Sequence, residues 1–477
     1  MQRVLVVAFS VVPSPDRHSV QLVNHLKALA PRYSVDVVTV KSPDLPYVDR
    51  FMKTRMLRVP CGAGTLAEQV EAFRRAVRRQ LDGVDYDVVH FRCPWGGRPV
   101  CERKGELSAR TIYEVARSPE GGPPSSDPAV AQALKRDEAY CLERADCIIV
   151  PTQAAAAHLK RRGLGRKVAL VPPGVDVDLF DWEDAPQARP PRILFAGRLG
   201  PARGVRLLLE AVKEVAQQEQ VELCLAGLVE PGFEAPLSEA IEHLGLAGVV
   251  KRLGAVEHGD LPRVVASATL CVAPHAPDSH DRPLAAFPSK VLEYMACRRA
   301  TIAPRRVAVA EVVREGEFGL LFTPGDVRDL ADKILTLLRN PELRGRLAEA
   351  GYRAVREARP ASATRRALLE VYARLAPPEA WSPASGAAGP STEIPASPET
   401  TTARHSLLRG PDRTPLWPEL EDATADTRAD QTDPNALTRS EDTDKGAQAP
   451  PGTSATPSEP PSEPLPASRP PPDPTGS

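Results

Sequence analysis

Short apolar runs recur along the first 180 residues: RVLVVAFSVV, SVDVVTV, YDVVHF, TIYEVA, DCIIVP and KVALVP. Each is nearly unbroken and bounded by turn-forming residues, the pattern of a strand covered on both faces. The spans between them carry apolar residues at helical spacing. In TLAEQVEAFRRAVRRQL, Leu66, Val70, Phe73, Val77 and Leu81 share one face, and Thr65 with Glu68 reads as a capping box. The opposite face holds Arg74, Arg75, Arg78 and Arg79 and is expected to be solvated; contact with an anionic membrane is the rarer use of such a face. A second series, RILFAG, VELCLAG, VVKRLG, ATLCVAP, RATIAP and GLLF, begins after the acidic, proline-bearing stretch DWEDAPQARPP. The alternation predicts an α/β protein of two doubly wound, Rossmann-like domains, residues 1–180 and 192–360, joined by a linker at 181–191. A helix over 361–375 is expected to pack back on the first domain.

Composition changes this picture at the C-terminus. The chain has 477 residues and 51 prolines, and segments such as PPGTSATPSEPPSEPLPASRPPPDPTGS crowd prolines beside Ser, Thr and Ala. Such a stretch cannot bury enough apolar surface to offset the entropy of ordering it, so residues 376–477 are predicted to be a disordered tail. The formal net charge of -1 gives no global reason for a nucleic-acid partner. None of the eight cysteines forms a CxxC pair, and several lie in strand-like runs, as in DCIIVP and ATLCVAP. They read as small core residues of a cytoplasmic chain, with no metal site. The opening MQRVLVVAFSVVPSP has one basic residue and no small-x-small cleavage site, so it reads as a buried strand rather than a signal peptide.

In open α/β sheets ligands bind beyond the carboxyl ends of the strands. There the second series carries LFAGRLGPARGVRLLLEAV, with Gly197 and Gly204 permitting close backbone approach and Arg198 and Arg203 in the loop before a helix. Guanidinium forks match phosphate oxygens, so the pair suggests a diphosphate cradle; alone, it would equally be two exposed surface arginines. It is not a GxGxxG dinucleotide fingerprint. Further along, FPSKVLEYMACRRATIA places Lys290 in the first turn of a helix, the end where the backbone dipole disfavours a cation unless an anion is near.

VPPGVDVDLF (171–180), GRLGPARGV (197–205) and PSKVLEYMA (288–296) follow one another in the order and spacing of nucleotide-sugar glycosyltransferases. The chain resembles glycosyltransferase family 4, the group 1 retaining enzymes of the GT-B fold, over about residues 1–375. YDVVH, LERADCIIVPT, LGAVEHGDLPRVVASATLCVAP and GEFGLLFTPGDVRDLADKI are further matches. The resemblance implies two domains facing across a cleft, the first binding the acceptor and the second the donor. It implies a donor set of Gly197, Arg198, Arg203, Lys290, Leu292 and Glu293. Arg198 and Arg203 would hold the diphosphate, Glu293 would bind the ribose, and Arg198, Arg203 and Glu293 would carry catalysis without metal or cofactor. Arg17, His18 and His90 are the acceptor-side candidates, with His90 expected at a strand's carboxyl end facing the cleft.

The chain departs from the family pattern at several points. Arg203 stands where lysine is usual, Ala285 where a first glutamate precedes Glu293, and Arg298-Arg299-Ala300 where a G-x-P follows the helix. A Gly-Gly turn after the first strand is absent, and Ala116 occupies the approximate place of a histidine. The implied activity is transfer of a sugar from a nucleoside-diphosphate sugar to a glycan or lipid-linked acceptor of the cell envelope, in the cytoplasm or peripheral to the inner membrane. The alternatives are a nucleotide-sugar epimerase or hydrolase of the same fold, and a catalytically degenerate scaffold that binds nucleotide or glycan.

Overall fold

The computed structural model describes residues 1–116, 128–182, 189–275, 287 and 289–376. Ala285, the linker centre at 183–188 and the tail beyond residue 376 lie outside the described residues. The apolar runs of the first domain become β1 (Arg3–Val11), β2 (Ser34–Val40), β5 (Val88–Phe91), β6 (Arg110–Glu114), β7 (Cys147–Val150) and β8 (Val168–Leu170), with β3 (Val48–Phe51) and β4 (Thr54–Val59) added at one edge. The sheet order is β3-β4-β2-β1-β5-β6-β7-β8, parallel except for the β3/β4 hairpin. Strand parity explains the unbroken apolar runs. Val4, Val6 and Ala8 of β1 enter one core, while Leu5 and Val7 enter the core on the other face.

The helices of this domain are α1 (Arg17–Leu29), α2 (Leu66–Gly83), α3 (Pro94–Glu102), α4 (Pro128–Arg144) and α5 (Gln153–Arg161). The Thr65 hydroxyl accepts from Glu68 N and the Glu68 carboxylate accepts from Thr65 N at 2.7 Å, closing the capping box of α2. Val70, Phe73, Val77 and Leu81 are buried beneath it. The expected solvated face holds for Arg75 and Arg79, which are exposed. It does not hold for Arg74, whose side chain is 16% exposed, donates to Trp95 O at 3.2 Å and pairs with Asp137 of α4; Arg78 lies 3.1 Å from Glu71. No helix among the described residues is long and apolar enough to cross a membrane. All eight cysteines are free thiols.

The second domain is a six-stranded parallel sheet: β9 (Arg192–Ala196), β10 (Glu222–Ala226), β11 (Val250–Gly254), β12 (Leu270–Val272), β13 (Thr301–Pro304) and β14 (Leu320–Phe322), ordered β11-β10-β9-β12-β13-β14. Its helices are α6 (Val205–Ala216), α7 (Glu234–His243), α8 (Leu261–Ala266), α9 (Ser289–Ala296), α10 (Val307–Ala310), α11 (Val327–Arg339) and α12 (Pro341–Ala358). Strand order reverses on either side of β9, so the crevice between β9 and β12 is the point at which such a sheet accepts a ligand. In the first domain the equivalent reversal lies between β1 and β5.

Two crossings join the domains. Val175 N donates to Arg359 O at 2.9 Å and Ala361 N donates to Val175 O at 2.7 Å, binding the outgoing and returning strands of chain together. The chain then enters α13 (Ala361–Leu375), whose Leu368, Val371 and Tyr372 sit in the same core as Leu22 and Leu26 of α1. Each of these side chains contributes about 2 kcal/mol by burial. At the other crossing, Arg298 ends α9 with a left-handed φ of 51°, a conformation that favours glycine. It is held there by Asp181 Oδ1 at 2.9 Å and by the Tyr352 ring, 3.7 Å from its guanidinium carbon. The glycine missing from the motif is thus replaced by a side chain that ties the linker to α9 and α12.

Candidate functional site

The donor-side residues gather where β9 ends. Gly197 follows the last residue of β9, and a Cβ added there would stand 2.7 Å from Lys290 Cε, so the lysine stem lies directly over the glycine. Tyr294, fully buried in α9, fixes this arrangement: its hydroxyl accepts from Ala196 N at 2.8 Å and faces Ala196 O at 3.3 Å. That hydroxyl clamps the Lys290 helix to the end of β9. Sequence reasoning missed it, although Tyr294 is a hydroxyl-bearing residue at a fully buried position of the LEYM run. Gly204 caps α6 with a φ of 73°, turning the chain sharply enough to bring Arg203 to the helix start.

Charge is arranged around this turn. Lys290 Nζ lies 3.9 Å from Glu293 Oε2, a contact within the first turns of α9. The lysine's position at the positive helix end is therefore partly answered by its own neighbour. Glu293 is largely buried, and its Oε2 has no hydrogen-bond partner among the described residues. An oriented carboxylate oxygen without a donor is a group prepared for one, such as a hydroxyl. Arg203 Nε stands 3.4 Å from Glu230 Oε1 and Arg198 Nη2 stands 3.9 Å from Asp16 Oδ2, which belongs to the first domain. Leu292 is completely buried, so its side chain offers no surface to a ligand.

The acceptor-side candidates separate. Asp16 caps α1 through its Oδ1, which accepts from His18 N at 2.9 Å. Arg17 Nη1 donates to Phe287 O at 3.1 Å, reaching the segment that leads into α9, and its Nη2 lies 3.3 Å from His18 Nε2. Arg17 and His18 are therefore brought to the donor-side helix. His90 is not, and here the expectation is corrected. It shares the face of β5 with Val88, beneath α13, and is 1% exposed. Its Nδ1 and the Tyr372 hydroxyl share a hydrogen bond of 2.9 Å, and its Nε2 lies 3.2 Å from Glu114. His90 does stand near the carboxyl end of β5, but on the sheet face covered by α13 rather than towards the cleft; nothing local in YDVVHF distinguishes the two faces.

Arg92, which no motif marks, links this buried cluster to the candidate site. Its Nε and Nη2 grip Glu114 at 2.8 and 3.0 Å, Nη1 donates to His18 O at 2.7 Å, and Nη2 also donates to Gln21 Oε1 at 2.8 Å. The first turn of α1 is thereby anchored to the ends of β5 and β6. The guanidinium also lines a small cavity with Ser10, His18 and Ala116. Arg92, His25 and His90 hold the Glu114 carboxyl well below the usual range against the opposing push of burial.

Comparison with known proteins bears on the fold and the family. Residues 17–179 match the family model for Glycosyltransferase Family 4, and residues 177–354 match that for Glycosyl transferases group 1. A D-inositol 3-phosphate glycosyltransferase of Nocardioides sp. is 30% identical over 318 residues, covering 61% of this chain and 67% of that protein. A phosphatidyl-myo-inositol mannosyltransferase of Mycobacterium leprae is 28% identical over 73% of this chain and 90% of its own length. Among solved structures, sucrose-phosphate synthase from Thermosynechococcus elongatus superposes with a TM-score of 0.68 at 22% identity, over 79% of this chain and 99% of that one. Anabaena HepE in complex with UDP-glucose does so with a TM-score of 0.62 at 18% identity, over 78% and 100%. The two Rossmann-like domains form the GT-B fold, and the chain belongs to the group 1 glycosyltransferases of family 4.

Proposed function

We propose that this glycosyltransferase takes a sugar from a nucleoside-diphosphate donor held by the second domain and passes it, with retention of configuration, to an acceptor at the start of α1. The observation that carries the reading is the buried Glu293 Oε2, paired only loosely with Lys290 and without a hydrogen-bond donor among the described residues, on a helix clamped to the end of β9. Vicinal ribose hydroxyls would satisfy that carboxylate. Arg198, Arg203 and Lys290 supply cations for the diphosphate. Stabilising the leaving group in this way needs no metal ion, because the side chains and the start of α6 provide the positive field. Two relatives are named for D-inositol 3-phosphate and phosphatidyl-myo-inositol, which supports a polyol, glycan or lipid-linked acceptor; its place in cell-envelope synthesis at the inner membrane surface is part of the proposal.

Calorimetry in EDTA against UDP-, GDP- and TDP-sugars tests this. One donor class should bind, and Glu293→Ala should weaken it about tenfold or more, the cost of removing a charged hydrogen-bonding partner. Absence of binding to all three would refute the reading; unchanged binding by the variant would refute the ribose assignment. The scaffold alternative draws on Ala285, which replaces an acid of the family motif. It predicts binding without turnover in the presence of any acceptor, whereas a hydrolase or epimerase would turn over the donor with no acceptor present.

A further inference from the structure

Each cation assigned to the donor already faces a carboxylate. Lys290 faces Glu293 at 3.9 Å, Arg203 faces Glu230 at 3.4 Å, and Arg198 faces Asp16 at 3.9 Å. The charges of these three positive and three negative side chains sum to zero. Glu293 has its own use on the ribose. Glu230 and Asp16 do not, and neither lies in a motif that marks the family. Glu230 is nonetheless well placed: its backbone N donates to Leu199 O at 2.8 Å, fixing it to the loop that carries Arg198 and Arg203, and its carboxylate lies against Gly200. Asp16 comes from the opposite domain and caps the helix that begins with Arg17 and His18.

We infer that Glu230 and Asp16 are placeholder counter-ions of the cradle, displaced when the donor diphosphate binds. The inference rests on the proposed function and adds a mechanism to it. In the empty site the two acids keep the arginines near their working positions. A diphosphate then binds by exchange: it takes Arg203 from Glu230 and Arg198 from Asp16. Fork-to-phosphate contacts are bidentate and carry more charge than one carboxylate, so the exchange runs towards the donor. Because Asp16 lies across the cleft, its release reports donor occupancy to the turn holding Arg17 and His18. An acceptor would then meet a rearranged turn only after the donor is in place.

The sign of the effect on binding separates this role from a merely structural one. Both pairs are partly exposed, with Arg203 39% and Glu230 28% accessible, so each effect is modest. Glu230→Gln keeps the shape, removes the charge, and should tighten UDP binding by roughly two- to fivefold while steepening its dependence on salt. Asp16→Asn keeps a good helix cap and should tighten it by a similar or smaller factor. Hydrogen exchange over residues 14–20 should change when UDP is added to the wild-type chain and change less in Asp16→Asn. Unchanged or weaker UDP binding by Glu230→Gln would overturn the counter-ion role, since that is what loss of a purely positioning contact produces. Unaltered exchange at 14–20 would overturn the signal across the cleft. If the wild-type chain bound neither UDP, GDP nor TDP, the proposed function itself would fall, a result distinct from both.

Discussion

Glu114 holds Arg92, His25 and His90 in the dry space beneath α13, and His90 passes the contact on to Tyr372. Burial is the largest influence on His90 and pushes its pKa below the ordinary value, although Glu114 pulls it up. A histidine that resists protonation in the folded state makes the unfolded chain the better proton acceptor. Stability should therefore fall as pH drops below about 6.5, by up to about 1.4 kcal/mol per pH unit, until the folded ring itself titrates. Glu114, held low, adds a separate loss as pH falls below about 4.3. Thermal melts of wild type and His90→Gln between pH 5 and 7.5 check the first part: the variant should start lower and show a shallower slope. Single residues were unequally legible. Gly197, Arg198, Arg203, Lys290 and Glu293 sit in motifs whose spacing announces a strand end and a helix start. Arg92, Glu230 and Asp16 act through contacts between distant segments, and no local pattern encodes those.

The hairpin β3/β4 shows the same division at the level of elements. Its turn residues Met52 and Lys53 both adopt left-handed backbone, with φ of 53° and 65°. A two-residue hairpin turn of this type is normally announced by Asn-Gly, and here no such signal exists. The strands were equally obscure, because an edge strand such as VDRF is half exposed and lacks an apolar run. By contrast the buried parallel strands were readable almost to their ends. Replacing Met52 by Asn and Lys53 by Gly should remove the strain and raise stability by about 1 kcal/mol, read as an increased urea midpoint with unchanged slope. A fall in the midpoint would show that the two side chains contribute packing the geometry does not require.

Across the whole molecule, alternation of strand and helix was enough to reveal two Rossmann-like domains, because that pattern has few compact solutions. Which face each helix covers was not legible, and His90 is the consequence: its burial depends on Tyr372, 282 residues away. Glu311, at the end of α10, accepts from Gln153 N and Ala154 N at 3.0 Å each, so a carboxylate of the second domain caps a helix of the first.

The return of α13 to the first domain has a consequence for the order in which the protein comes into being. As the chain leaves the ribosome, residues 1–180 are complete long before the helix that fills their core. Leu22, Leu26 and Tyr33 must wait uncovered while the entire second domain is synthesised, since Leu368, Val371 and Tyr372 arrive last. The domain made first is thus the one finished second. A chain ending at residue 360 should retain a folded second domain but leave the first prone to aggregation, and supplying residues 361–376 as a separate peptide should restore its solubility. Recovery of a monomeric, cooperatively melting 1–360 chain without the peptide would contradict this. Any nascent chain that stalls before α13 would present its first domain to quality control with the seam still open.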